Sequence, residues 1–592
     1  MKRYINTLTA FILAGLLSVS CSFFDVKPHI IQTEYYYDTP TDVFNAMTGV
    51  YGVMSNEAFY GNYYSLMCSN VDDLSFFNRA TTTNYTNVYK HDAGTSEIYA
   101  AWTQIYKGIR NANMFLDKVP DSGCDQDGHY CNEVRFLRAY YYFILAQAWG
   151  DVPLRTEPTQ SYEHVACAAS SQYSVLKWAA DQMEECVEFY KNLYSDDPDR
   201  ELQDLAAAPS RVCLNTVRGI LARVYLFMAG ETVTIEDASL KKADFYRKAM
   251  EHSGDVISSG RHDLYDDYSH VFKLMMSDKY DHDRHESMWE VEFTGNRSGA
   301  DNWSNGRIGD LIGLQSSGSS DYSDFLCNFA YGMYDGSLKL WDLYWIIDRV
   351  KTEASDANTI SDQRQLWNLP PYNYAGSYSY KKTVVQDGIS KELTVNIKPS
   401  VDTAYYWSTV NDNARVNVAF MPAGRNCGKF RREVEYEGVM DSKRLYTSIN
   451  FPLLRYSDVL LMYAEASLEY NQAVKGEAMD AVLKVRDRAG IATEDAYDLQ
   501  AFRQLVRNER ARELCFEATR KYDLIRWGIF VEQMNEYRTW TQMRNASGKK
   551  RWTSKGDYAM RIGDAVQAKH LVLPVPSVEL GVNTELKQNP LW

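Results

Sequence analysis

Three segments far apart in the chain repeat one pattern, with apolar side chains at i, i+3, i+4, i+7 and i+11. They are Leu137, Tyr140, Tyr141, Ile144 and Ala148; Val217, Ile220, Leu221, Val224 and Met228; and Val459, Met462, Tyr463, Ala466 and Tyr470. At 3.6 residues per turn this spacing draws one broad apolar stripe down each helix. A lone helix cannot bury such a stripe, so neighbouring helices must stack. Small residues at the expected crossings (Ala139, Ala146, Ala222, Ala464, Ala466) suit close pairs. Further helices are predicted at 96–118, 173–193, 238–258, 477–488, 499–517 and 521–536. The expected fold class is mainly α, a superhelix of tetratricopeptide-like helix pairs, without a clean repeat of about 34 residues.

Two stretches break this texture. Residues 60–95 and 272–446 are rich in Gly, Ser, Asn and aromatics, as at 294–320 and 369–380. One short alternating run, 393–397, predicts a hairpin strand. The expected layout is a helical scaffold, mainly 96–271 and 447–540, carrying a large irregular loop-rich region for a ligand. Loop excursions of this length inside a helical protein are usually functional. The apolar, Pro-containing tail from Leu571 is expected to lie extended across the helices.

The N-terminus reads as a lipoprotein signal. Lys2 and Arg3 form a positive start, residues 10–17 a short apolar run, and Ser18 and Ser20 lead into Cys21. Leu17 stands four residues before the cysteine, where the usual lipobox has leucine three before. Residues 1–20 are expected to be removed, leaving 21–592 as one domain tethered by lipid on Cys21. No later apolar run is long enough to cross a bilayer.

The net charge is −15, and loss of Lys2 and Arg3 with the signal makes it −17. That balance repels phosphate backbones, so nucleic acid is not an expected partner. Nine cysteines follow Cys21, an odd number, so at least one is unpaired or pairs between chains. Cys213 and Cys515 fall in helical patterns and read as core residues, while Cys124 and Cys131 flank a polar loop and could bridge.

Catalytic signatures such as G-x-S-x-G, H-E-x-x-H, a Walker loop or a dinucleotide glycine pattern are missing. No catalytic residue and no cofactor is expected. His282 and His285, with Asp278, Asp281 and Asp283 nearby, read as a solvated loop rather than a metal centre. The run Asn508-Glu509-Arg510-Ala511-Arg512-Glu513 reads as a structural network, Glu509 with Arg512 and Glu513 with Arg510. Trp149, Trp178 and Trp527 lie on helices and read as core.

The loop aromatics are different. Aromatics make up 14% of the chain, including 44 tyrosines, and those in polar surroundings would suit a surface that stacks on flat ligands. A sugar ring presents an apolar C–H face and a rim of hydroxyls, so it is met by an aromatic platform edged with Asn, Asp or Arg. Trp303 lies between Asn302 and Asn305, Trp367 just before Pro370, and Phe76, Phe77, Asn78, Arg79, Asn84 and Tyr85 mix rings with polar donors. The candidate ligand-binding residues are Arg79, Asn84, Tyr85, Asn302, Trp303, Asn305, Tyr322 and Trp367.

Several motifs together resemble the SusD/RagB family of Bacteroidetes outer-membrane lipoproteins. They are Ile109-Arg110-Asn111-Ala112-Asn113, Arg135-Phe136-Leu137-Arg138-Ala139-Tyr140-Tyr141-Tyr142, Trp149-Gly150-Asp151-Val152-Pro153, and Leu454-Arg455-Tyr456-Ser457-Asp458. The series continues with Val485-Arg486-Asp487-Arg488-Ala489-Gly490, Glu509-Arg510-Ala511-Arg512-Glu513-Leu514, Tyr522-Asp523-Leu524-Ile525-Arg526-Trp527-Gly528 and Gln588-Asn589-Pro590. The resemblance implies four tetratricopeptide-like helix pairs and a non-catalytic glycan-binding protein at the cell surface. It further implies a lid over a SusC-like TonB-dependent transporter in the outer membrane. These are scaffold motifs and carry over no ligand residues. Peptide capture, as in relatives that accompany peptide importers, and a surface glycosidase are the alternative expectations.

Overall fold

The structure is a computed structural model that describes residues 37–79, 86–159, 166–295, 304, 306–316, 328–351, 362–370, 379–386, 389–396, 425–435, 446–491, 493, 496–544 and 555–592. Eight long helices form the scaffold: α1 Ser96–Ser122, α2 His129–Trp149, α3 Gln172–Asp196, α4 Leu214–Met228, α5 Lys242–Ser258, α6 Tyr456–Asn471, α7 Gly476–Arg488 and α8 Leu499–Leu514. Each packs on the next from α1 to α6, and α6 then meets both α7 and α8. This is the stacked-pair architecture that the apolar stripes require.

The stripes of α2 and α4 are buried throughout, from Leu137 to Ala148 and from Val217 to Met228. The third stripe is interrupted. Tyr463 is only half-buried and Tyr470 is 39% exposed, while Leu460, Leu461, Ala464 and Leu468 join the core instead. The reason is the position of α6, which is enclosed by α5, α7 and α8 and so buries most of its circumference.

Two helix boundaries depart from expectation. The segment predicted as 521–536 is two helices, Arg520–Arg526 and Phe530–Asn535, parted at Gly528, whose φ of 73° is left-handed. Helix α8 stops at Leu514 because Phe516 and Ala518 take positive φ. The freed carbonyls of Glu513 and Cys515 each accept a hydrogen bond from Lys429 Nζ at 2.9 Å. Cys213 and Cys515 are buried, but at the ends of α4 and α8 rather than within them. Cys124 and Cys131 carry free thiols.

Three two-stranded antiparallel sheets lie outside the helices. They pair β1 Ser75–Phe77 with β3 Tyr334–Gly336, β2 Ser287–Val291 with β6 Phe451–Arg455, and β4 Ser379–Gln386 with β5 Ile389–Asn396. The last is the hairpin that alternation at 393–397 predicts. The stretch 272–446 is less irregular than its composition suggests, since it also holds the helix Leu338–Lys351. Before the scaffold, Thr39 caps a helix over Pro40–Tyr51, with proline at its first position. The C-terminal tail crosses the scaffold, Leu573 N–H donating to Ala148 O at 2.7 Å, and includes a short helix, Ser577–Val582.

The scaffold and the loop-rich region meet in a buried charge network. Glu513 on α8 accepts from Arg455 at 2.9 Å, Arg488 at 2.7 Å and Arg364 at 3.1 Å. One turn earlier, Glu509 pairs with Arg364 at 2.6 Å, Arg486 at 3.0 Å and Arg512 at 3.1 Å. Glu517 takes Lys429 at 2.6 Å and Arg455 at 2.8 Å. The expected Glu509–Arg512 pair is present, but Glu513 does not pair with Arg510. Arg510 turns instead to Asp458 at 2.6 Å and Asp523 at 2.9 Å. Tertiary partners with fixed guanidinium forks outcompete the local helical spacing.

The His282–His285 spacing is explained by a turn. Buried Asp281 accepts backbone N–H groups of Arg284, His285, Glu286 and Ser287, and the Tyr265 hydroxyl at 2.7 Å. His282 stays exposed.

Removing one member of such a network strands the others without solvent. Glu513→Gln is expected to cost about 3–5 kcal/mol in urea unfolding. Acid should act through the same groups. Burial pushes the carboxyls of Asp458 and Glu465 upward, but Arg510 with Arg223, and Arg526, hold them down at about 2. In the unfolded chain they titrate at about 3.9 and 4.3. Their stabilisation is therefore complete above about pH 5 and is lost as pH falls towards 2. The urea midpoint should drop across that window, less steeply in Asp458→Asn.

Candidate functional site

Strand β1 ends at Phe77, and the next two residues place a polar anchor. Phe76 and Phe77 are fully buried, so they are core rather than platform. Asn78 N–H donates to Met333 O at 2.8 Å, and its side chain donates to Gly332 O at 2.9 Å and to Asp335. Asp335, on β3 and wholly buried, also accepts from Asn426 at 2.7 Å and Lys555 at 2.8 Å. Four distant segments are thus tied at one carboxylate. Arg79, half-buried, is held beside this knot. Its guanidinium donates to the Asn78 side chain and to Tyr331 O at 2.9 Å.

Tyr331 belongs to an extended stretch that pairs with the 306–316 loop through an antiparallel bridge, Ser316 to Ala330. Alternation along this stretch buries Ala330 and leaves Phe329 and Tyr331 half-buried on the other face. Their rings meet edge to face, centroids 4.8 Å apart at 90°. Arg79 with Phe329 and Tyr331 therefore forms an aromatic pair beside a guanidinium, a combination suited to a ring with hydroxyls at its edge. Neither Phe329 nor Tyr331 is among the residues expected from the sequence. The period-two pattern Phe329-Ala330-Tyr331 is the signal that could have found them.

At the other end of the same loop a second polar patch forms. Arg307 N–H donates to Gly61 O at 2.9 Å, and its side chain reaches Asp310 at 2.8 Å and Glu57 at 3.5 Å. Tyr446 donates to Glu57 at 3.3 Å. Burial raises the Asp310 carboxyl above its ordinary range, against the pull of Arg307. Ser304 Oγ accepts the Thr294 N–H at 2.9 Å.

Of the expected site residues, Asn84, Tyr85, Asn302, Trp303, Asn305 and Tyr322 lie outside the described residues, as does Cys21. Described residues adjoin several of them in sequence. Arg79 immediately precedes the stretch with Asn84 and Tyr85, and the Ser316–Ala330 bridge brackets the stretch with Tyr322. Ser304 and Gly306 flank Asn305 and follow Trp303.

Trp367 is elsewhere, in the short helix Gln363–Asn368. It is half-buried, with the Arg431 guanidinium 3.9 Å and the Lys273 ammonium 5.5 Å from its ring centroid. Its carbonyl accepts Arg431 at 2.5 Å. Gly428 permits this approach, because a Cβ there would stand 2.1 Å from that carbonyl. Trp367 and Arg79 are held by different neighbours.

Asp335→Ala should unfasten the knot that holds Arg79, at about 2–3 kcal/mol. Amide hydrogen exchange at Asn78, Arg79 and 329–335 is expected to quicken, while α1 to α4 keep their protection.

Comparison with known proteins agrees with this architecture. The SusD family model matches residues 285–592, and a model described as starch-binding associating with outer membrane matches residues 22–226. SusD-like protein P25 of Formosa agariphila is 24% identical over 96% of this chain and 95% of its own length. Among solved structures, a SusD homologue from Bacteroides thetaiotaomicron superposes with a TM-score of 0.73 at 22% identity, covering 95% of this chain and 98% of that one. Surface glycan-binding protein A from the same species gives 0.62 at 17% identity, covering 94% and 100%. With helix pairs stacked as in these structures and more than half of its length matched by the family model, the chain belongs to the SusD family.

Proposed function

We propose that this protein is a cell-surface lipoprotein, anchored in the outer membrane through Cys21, that captures oligosaccharides and polysaccharides without cleaving them. It passes them to a SusC-like TonB-dependent transporter, for which it serves as the lid. The observation that carries the glycan reading is the Phe329–Tyr331 pair with Arg79 fixed on the Tyr331 carbonyl. Relatives support it, since one similar structure is named a surface glycan-binding protein and one matching family model is described as starch-binding.

In this reading Trp303 and Tyr85 add stacking faces, while Trp367, with Arg431 over its ring, stands apart from them. Arg79, Asn84, Asn302, Asn305 and Tyr322 meet hydroxyls. Binding without cleavage suits the nearby carboxylates, because a glycosidase needs two free to face the sugar. Asp335 is committed to Asn426 and Lys555, Asp310 to Arg307, and Glu57 to Tyr446 and Arg307. Each stack or hydrogen bond contributes on the order of 1 kcal/mol, so affinities in the micromolar to millimolar range follow. Membership of a complex raises the effective concentration.

Isothermal titration with starch-, β-glucan-, xylan- and mannan-derived oligosaccharides should show binding of one class and no products. Arg79→Ala and Trp303→Ala should each weaken it by about tenfold. Unchanged affinity in both would remove the assigned site. Cys21→Ala is expected to shift the protein from the membrane fraction to the soluble fraction of cells.

A further inference from the structure

One surface cleft among the described residues lies outside the loop-rich region. It is a groove of about 320 Å3 between α5, α6 and α7, and every residue lining it belongs to those helices. Its volume falls within the range of about 300–1,000 Å3 typical of small-ligand clefts. The floor is apolar and aromatic, made by Ile257, Leu460 and the rings of Tyr456 and Tyr463. Tyr463, like Tyr470, is a stripe residue that the core does not fully bury. Opposite it stands Gly254, where a Cβ would come within 3.2 Å of the Tyr463 ring. A side chain at this position would crowd that ring.

The rim is polar and mixed in charge. Glu477 and Asp480, three residues apart on α7, are exposed on one helical face. Among the described residues neither meets a cation. Lys484, one further turn along, is held by Asp263 at 2.8 Å with its ammonium 5.2 Å from the Tyr456 ring centroid.

We propose that this groove is a second saccharide site, taking a short neutral oligosaccharide whose ring lies on Tyr463. The inference rests on the reading of the protein as a glycan binder. Hydroxyls of a neutral sugar can donate to Glu477 and Asp480 and accept from Lys484, so every rim group finds a partner. An anionic ligand would meet two carboxylates, so it does not suit the rim. The aromatic floor at Tyr463 favours a sugar ring over a lysine chain, and a basic peptide is the outcome that the test must separate.

The test is calorimetric titration of the full chain with maltohexaose, laminarihexaose, xylohexaose and mannohexaose, and separately with hexalysine. The variants are Glu477→Gln/Asp480→Asn, which touches only exposed groups, and Tyr463→Ala, with circular dichroism as a check on folding. The expected result is two sites per chain for the sugar that binds. One of them weakens by about tenfold in both variants and is unaffected by Arg79→Ala. A sugar isotherm unchanged by the groove variants overturns the second site and leaves the loop site standing. Hexalysine binding that the groove variants abolish, without any change in sugar binding, also overturns it. No binding of any hexasaccharide by the wild-type chain overturns both readings.

Discussion

The carboxylates of Glu509 and Glu513, one turn apart on α8 and wholly buried, are the constraint on which the rest of the structure depends. Each needs cations, and α8 itself supplies only Arg512, to Glu509. Arg455 comes from β6, Arg486 and Arg488 from α7, and Arg364 from the loop-rich stretch. Lys429, also from that stretch, binds the carbonyls where α8 ends. Charges removed from water cost several kcal/mol each unless geometry and extra hydrogen bonds offset the loss. An arrangement with many exact partners therefore has few alternatives. The loops are seated in one register because their arginine and lysine must reach the same two turns of one helix.

A second device joins connecting segments to helices. Tyrosines bury their rings in the core and spend the hydroxyl on a backbone carbonyl some way off. Tyr141 bonds Val50 O at 2.6 Å, Tyr142 bonds Arg155 O at 2.6 Å, Tyr344 bonds Arg512 O at 2.8 Å, and Tyr537 bonds Asp72 O at 2.6 Å. Each bond gives a carbonyl outside the tyrosine's own helix turn a donor. Part of the tyrosine content thus serves as staples between helices and their connections, which composition alone does not separate from rings free to stack on a ligand. Phe76 and Phe77 make the same point, since strand β1 turns both into the core.

Local periodicity reveals most of the scaffold. The stripes of α2 and α4 were readable because each helix packs along most of its length. Tyr470 escaped the pattern because α6 is enclosed elsewhere on its surface, which depends on three other helices. The break at Gly528 is visible in the residue itself, but the end of α8 is not. It is set by Lys429, about 85 residues away in sequence, through contacts that no window records. The Glu513 partners were misread for the same reason, as helical spacing offers Arg510 while the fold delivers Arg364, Arg455 and Arg488. At the candidate site, the sequence singles out Arg79 by its setting among aromatics and amides, and the structure ties it to Asn78 and Tyr331. Phe329 and Tyr331 needed the two-residue alternation of an extended stretch to be noticed inside a region read as irregular.

Scaffold and site thus have separate physical origins that meet at Asp335 and at α8. Helix packing and the buried charges hold in place the half-buried Arg79, Phe329 and Tyr331, which the proposed function assigns to the sugar. A crystal structure of the chain soaked with its tightest-binding oligosaccharide tests this most directly. The account predicts a sugar ring against the Phe329–Tyr331 pair with a hydroxyl on the Arg79 guanidinium. A bound sugar with no contact to any of these three residues would contradict it.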